Sequence, residues 1–192
     1  MQLRTFALAA CCTLLAIPGL AQTSGQVNHE MGEMNMDKPS GKALPSPAAK
    51  AEVTLNGKAI TIKYNSPRVR GRKIMGGLVP YGKVWRTGAN PATTLITETN
   101  LKIGTLDVPA GTYTLYTLPN ADHWLLIVNK HTGQWGTEYT ESDDLGRTPL
   151  TGKSLSAPQE NMTISFENTH GDSTELHIKW ETTDESVSVK AE

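Results

Sequence analysis

The stretch SPRVRGRKIMGGLVPYGKVWRTGAN, Ser66 to Asn90, carries Arg68, Arg70, Arg72, Lys73, Lys83 and Arg86 and no acidic residue. Five glycines interrupt it, at 71, 76, 77, 82 and 88, and each allows positive φ and close backbone approach. Guanidinium forks beside free backbone N–H groups are what a carboxylate, sulfate or phosphate ligand requires. Pro67 biases its predecessor toward extended backbone. If extension continues, Arg68, Arg70 and Arg72 project from one face. Trp85 and Asn90 lie in the same stretch and complete a candidate ligand-binding set of Arg68, Arg70, Arg72, Lys73, Trp85, Arg86 and Asn90 for an anionic small molecule or a glycan. The competing expectation is a structural clasp, in which the arginines pair with the acidic group Glu138, Glu141, Asp143 and Asp144.

Other constellations point to other chemistry. In NHEMGEMNMD, His29, Met31, Met34 and Met36 offer thioethers and an imidazole, the donor set that selects Cu(I) or Ag(I); a tolerant disordered tail with no cofactor is the expectation, and copper handling through this tail the alternative. For hydrolysis, the chain contains neither Gly-x-Ser-x-Gly nor His-Glu-x-x-His. An enzyme acting on a saccharide would have to assemble Arg86, His131, Glu138 and Asp143 or Asp144 in one cleft. Trp85, Trp135, Tyr81 and Tyr139 could stack on sugar rings, but aromatic side chains are first of all core residues, and burial is expected. His177 alternates with Leu176 and Ile178, which predicts the solvent face of a strand.

The elements that must position these residues are strands. Ile60, Ile62 and Tyr64 alternate with Ala59, Thr61 and Lys63, and Asn56-Gly57 before them is a strong hairpin signal. Further strands are predicted at Thr93 to Thr99, Leu101 to Ile103, Thr112 to Leu118 and Trp124 to Val128. Near the C-terminus, Met162, Ile164 and Phe166 form one apolar face, Leu176, Ile178 and Trp180 another, and Val187 with Val189 a last one. Turn chemistry at Pro109 to Gly111, Pro119 to Asp122 and His170 to Asp172 separates them. Trp124 to Val128 is apolar on both faces, which suits a central strand. No long 3.6-residue repeat is present, so the fold class is all-β: a single antiparallel β-sandwich, jelly-roll or Ig-like, with long irregular loops and little helix.

The N-terminus has the layout of a cleavable signal peptide over residues 1–21: Arg4, an apolar run from Phe6 to Leu20, and small residues before Gln22. A lipobox-like Leu8-Ala9-Ala10-Cys11 offers lipidation at Cys11 as a minor alternative. An exported protein, periplasmic or secreted, is expected. Cys11 and Cys12 both lie in the removed segment, so disulfides, thiolate nucleophiles and cysteine-ligated metals are excluded from the mature chain. Residues 22–46, rich in Gly, Ser, Pro and Asn, read as a flexible linker, and 47–192 as one domain. A formal charge of −1 lacks the basic excess of a nucleic-acid binder. After cleavage no transmembrane segment remains.

The basic loop, together with DVPAGTYTLYTLP (Asp107 to Pro119), WLLIVNKHTGQWGTEY (Trp124 to Tyr139) and DLGR (Asp144 to Arg147), closely resembles the bacterial secreted family catalogued as domain of unknown function 2911. The resemblance runs from Ser46 to the C-terminus and leaves the methionine-rich tail outside. It implies a single exported β-sandwich-like domain. It implies no activity.

Overall fold

The computed structural model describes residues 45–192. The expected signal peptide with Cys11 and Cys12, and the His29, Met31, Met34 and Met36 tail, lie outside them. The described chain is nearly all β, with a single 3-10 turn at Glu141–Asp143. Its strands are β1 (Ala48–Leu55), β2 (Lys58–Asn65), β3 (Thr93–Thr97), β4 (Leu101–Ile103), β5 (Leu106–Val108), β6 (Gly111–Pro119), β7 (Trp124–Asn129), β8 (Asp144–His170) and β9 (Ser173–Ala191). They form one nine-stranded antiparallel sheet in the order β1, β2, β3, β6, β7, β8, β9, β4, β5, not closed into a barrel. Among the described residues, no helix is long and apolar enough to cross a membrane.

Local chemistry explains the connections. Asn56 and Gly57 take φ of 50° and 74°, the left-handed pair that a two-residue hairpin needs, and Leu55 pairs with Lys58 across it. Gly171, at φ 59°, begins the turn that returns β8 into β9, with His170 opposite Ser173. The alternation of β2 holds, with Ile60, Ile62 and Tyr64 all buried. β7 is central, between β6 and β8. Leu126 and Val128 enter the main core, while Ile127 joins Tyr116 and Ala92 in a second cluster on the other face.

All nine strands contribute to the main core, from Ala51 and Leu55 of β1 to Val108 of β5, so the sheet folds back over one apolar interior. β8 makes this possible. Its first part pairs with β7 from Asp144 to Leu150, and from Thr151 onward it pairs with β9 through several register shifts. Bulges of this kind let a long strand bend. Across the core, Tyr64 Oη accepts from the Ile164 amide at 3.1 Å, and Ser66 Oγ donates to the Met162 carbonyl at 2.7 Å.

One strand prediction is corrected. His177 is 1% exposed, not on a solvent face. Leu176, His177 and Ile178 are buried in succession, because β9 is covered on both sides there. The partner of His177 is Asp184 of the same strand, whose Oδ1 lies 2.8 Å from His177 Nδ1. Residues seven apart on a regular strand face opposite ways. Glu181, at φ 54° beside a register shift, inserts the extra step that brings both to one side.

Candidate functional site

The basic loop is fixed at both ends by backbone bonds. Near its start, Val69 N donates to Glu160 O at 2.9 Å and Met162 N to Pro67 O at 2.9 Å, which lays the segment along β8. Near its end, Trp85 and Thr117 exchange N–H···O bonds of 2.8 and 2.9 Å, so the chain extends the sheet beside β6. Between them Ile74 and Val79 drop into the core. Gly77 permits this tight excursion, since a Cβ there would lie 2.5 Å from the Lys73 carbonyl oxygen.

The expected row Arg68, Arg70, Arg72 does not form. Arg70 and Gly71 take φ of 50° and 65° and reverse the chain, with Arg72 N donating to Val69 O. Paired left-handed residues make a turn, not a strand. Arg70 donates to the Pro45 carbonyl and Arg68 and Lys73 are exposed. Arg72 folds back, its Nε 3.1 Å from Val69 O and its Nη2 2.6 Å from Arg68 O.

Four of the seven predicted ligand residues do come together. Arg72, Trp85, Arg86 and Asn90 line a cavity of about 290 Å³, floored by Trp180. Trp85 stacks on Trp180 with ring centroids 5.8 Å apart at 18°, and its Nε1 donates to Gly88 O at 3.2 Å. Gly88 keeps this approach uncrowded, because a Cβ would stand 3.1 Å from both Asn65 O and Thr93 Oγ1. The loop that carries Arg86 is strained. Thr87, fully buried, and Asn90 adopt φ of 54° and 60°, conformations costly for a β-branched threonine. Thr93 Oγ1 clamps Thr87 by donating to its carbonyl at 2.8 Å.

Arg86 is the chemical centre of the cavity. Its Nε is buried without a hydrogen-bond partner, and no ion pair to it forms among the described residues. Burial alone pulls the guanidinium below its ordinary pKa, yet it stays a cation. A partly buried positive charge with an idle donor is costly unless an anion completes it. Above its stem runs the segment Gln134 to Gly136, where Gly136 N donates to Asn90 O at 3.2 Å.

The acidic group pairs elsewhere. Asp144 accepts from Asn129 Nδ2 at 2.9 Å, Tyr139 Oη at 2.8 Å and Arg147 Nε at 3.0 Å, and Glu141 accepts from Arg147 Nη2 at 2.7 Å. Burial first, and the Asp144 bond second, push the Tyr139 phenol up to about 12. The clasp between these carboxylates and the loop arginines is therefore corrected: Arg147, three residues from Asp144, supplies the cation. The cleft expected for a saccharide enzyme is not assembled either. His131 and Glu138 are exposed, and none of His131, Glu138, Asp143 and Asp144 lines either cavity described here. Tyr139 is half-buried on the second core cluster, but Tyr81 and Trp135 are 44% and 52% exposed, against expectation.

The profile of the family described as "Protein of unknown function (DUF2911)" matches residues 46–189. The chain belongs to the DUF2911 family. No curated protein and no solved structure matches it. The DUF2911 match takes in the whole basic loop and the Gln134 to Gly136 cover, so the Arg86 cavity is built from family sequence.

A second cavity, of about 410 Å³, was not anticipated. It opens on the other side of the loop, between the β6–β7 turn and the β8–β9 pair, and is lined by Tyr81, Asp122, His123, Lys153, Thr183 and Glu185 among others. Sequence reasoning passed over Glu185 because its strand was read only for Val187 and Val189.

Proposed function

We propose that this domain is a binding module for a small anion, a carboxylate, sulfate or phosphate group, held by Arg86 in the 290 Å³ cavity with Arg72 at its rim and Trp85 as an apolar wall. One observation carries the reading: Arg86 Nε is buried with nothing to donate to. An uncharged glycan would leave that charge uncompensated, so an anion is favoured. The strained backbone at Thr87 and Asn90 supports the same assignment, since strain persists where the surrounding structure holds a group in a set position. Export belongs to the proposal too, resting on the Arg4 and Phe6 to Leu20 pattern, and N-terminal sequencing of the mature protein should begin at Gln22.

The test is thermal and calorimetric titration with sulfate, phosphate and acetate at matched ionic strength. A ligand at 100 times its Kd stabilises the fold by about 2.7 kcal/mol. Arg86→Gln should abolish the response, and Arg68→Ala, exposed and away from the cavity, should preserve it. Equal stabilisation of wild type and Arg86→Gln would overturn the proposal.

A further inference from the structure

We infer that the 410 Å³ cavity is a second binding site, independent of the Arg86 cavity, that takes an organic ammonium group against the Glu185 carboxylate. Glu185 is 6% exposed, lines the cavity, and its carboxylate takes part in no hydrogen bond among the described residues. The body of the residue is buried while its carboxylate opens into the cavity, where a cation would compensate its partial desolvation. The backbone makes room for it, since a Cβ at Gly152 would lie 2.7 Å from Glu185 Oε1.

The charges that face Glu185 define what is missing. Asp184 precedes it on β9, and burial first and Asp184 second raise its carboxyl to about 7. Lys153 of β8, which also lines the cavity, lies 3.4 Å from Asp184 Oδ2 without a hydrogen bond and is 63% exposed, its head turned to Asp184 and solvent; Lys179 pairs with Glu167 and stands 3.9 Å from Asp184. From the β6–β7 turn come Asp122 and His123, bonded to each other at 2.7 Å. Tyr81 closes the rim with its ring laid over Gly76, where a Cβ would meet Cε2 at 2.8 Å. The balance is negative, and the exposed phenol face adds a cation–π surface. One unpaired carboxylate beside an exposed aromatic face suits an organic ammonium group, and no cluster of three metal-ligating side chains forms among the described residues. Hydroxyls of Ser154 and Thr183 on the wall suit a polar body attached to the ammonium group.

Glucosamine is the probe, with glucose as its uncharged counterpart, followed by chemical-shift perturbation and calorimetry at constant ionic strength. Saturable binding of glucosamine at the cavity residues, at least tenfold tighter than glucose and tightening as pH rises from 5 to 7, where its amine stays protonated while Glu185 ionises, is expected. Glu185→Gln should weaken it at least tenfold, while Arg86→Gln should leave it unchanged, which separates this site from the anion site. Equal binding of glucose, equal binding by Glu185→Gln, loss in Arg86→Gln, or no pH dependence in the wild type would each overturn the inference. The pH dependence needs no variant and so stands whether or not Glu185→Gln folds.

Discussion

Gly136 lies so close to the stem of Arg86 that a methyl group on it would stand 1.9 Å from Arg86 Cδ and 2.8 Å from the Asn90 carbonyl oxygen. The two residues belong to segments fifty positions apart, joined by the bridge between Pro91 and Trp135. The absence of a side chain at Gly136 thus leaves the space that the Arg86 stem occupies on its way to the cavity.

Gly136→Ala should consequently cost about 1–3 kcal/mol in urea unfolding, the usual range for overpacking. It should also weaken anion binding by tenfold or more, because Arg86 can no longer hold its place. Unchanged affinity by calorimetry would show that the cover does not position the guanidinium.

Glu185 gives a pH dependence with a definite sign. Its folded pKa of about 7 lies above the unfolded value of 4.5, so its contribution is fully present below pH 4.5 and is lost as pH rises through 7. Relative to Glu185→Gln, the wild type should therefore lose on the order of 2–3 kcal/mol between pH 4.5 and 8. Denaturant melts of both proteins across that range check it; parallel curves would contradict the assignment.

Asp184 and His177 are both about 1% exposed, and an ionised carboxylate only accepts, so His177 donates from Nδ1. Asp184→Ala strands that donor and should cost about 3–5 kcal/mol. Asp184→Asn keeps an acceptor and should cost less. Because it removes the like charge beside Glu185, it should also lower the Glu185 titration midpoint, followed by carboxyl carbon NMR.

Tyr64→Phe removes the oxygen that accepts from the Ile164 amide in a buried setting. An orphaned buried amide costs about 1–3 kcal/mol, read as a shift in urea midpoint at unchanged slope.

Much of the fold is readable along the chain because its causes are local. Alternation sets the faces of β2 and β8, and Asn56-Gly57 sets a hairpin through the φ those residues tolerate. Arg86 is visible as a cation, and so is its company with Trp85 and Asn90. Its burial is not, since Gly136 arrives from a distant segment. The Arg70-Gly71 reversal had a cue in the glycine, outweighed by Pro67. Asp144 and Arg147 are neighbours in DLGR, and that short spacing, not the net charge of the basic loop, decides the pairing. The burial of His177 is hidden because β9 is covered on both faces there, so alternation marks no solvent side, and its partner Asp184 is hidden because left-handed Glu181 shifts the parity of the residues beyond it.

The position of β9 governs how this chain reaches its native state. β4 pairs with the far end of β9, Leu101 opposite Ala191, and β8 needs β9 along most of its length. Synthesis delivers β9 after every other described strand, so β4 and most of β8 wait for their pairing partner until it emerges. Such distant pairings fold slowly.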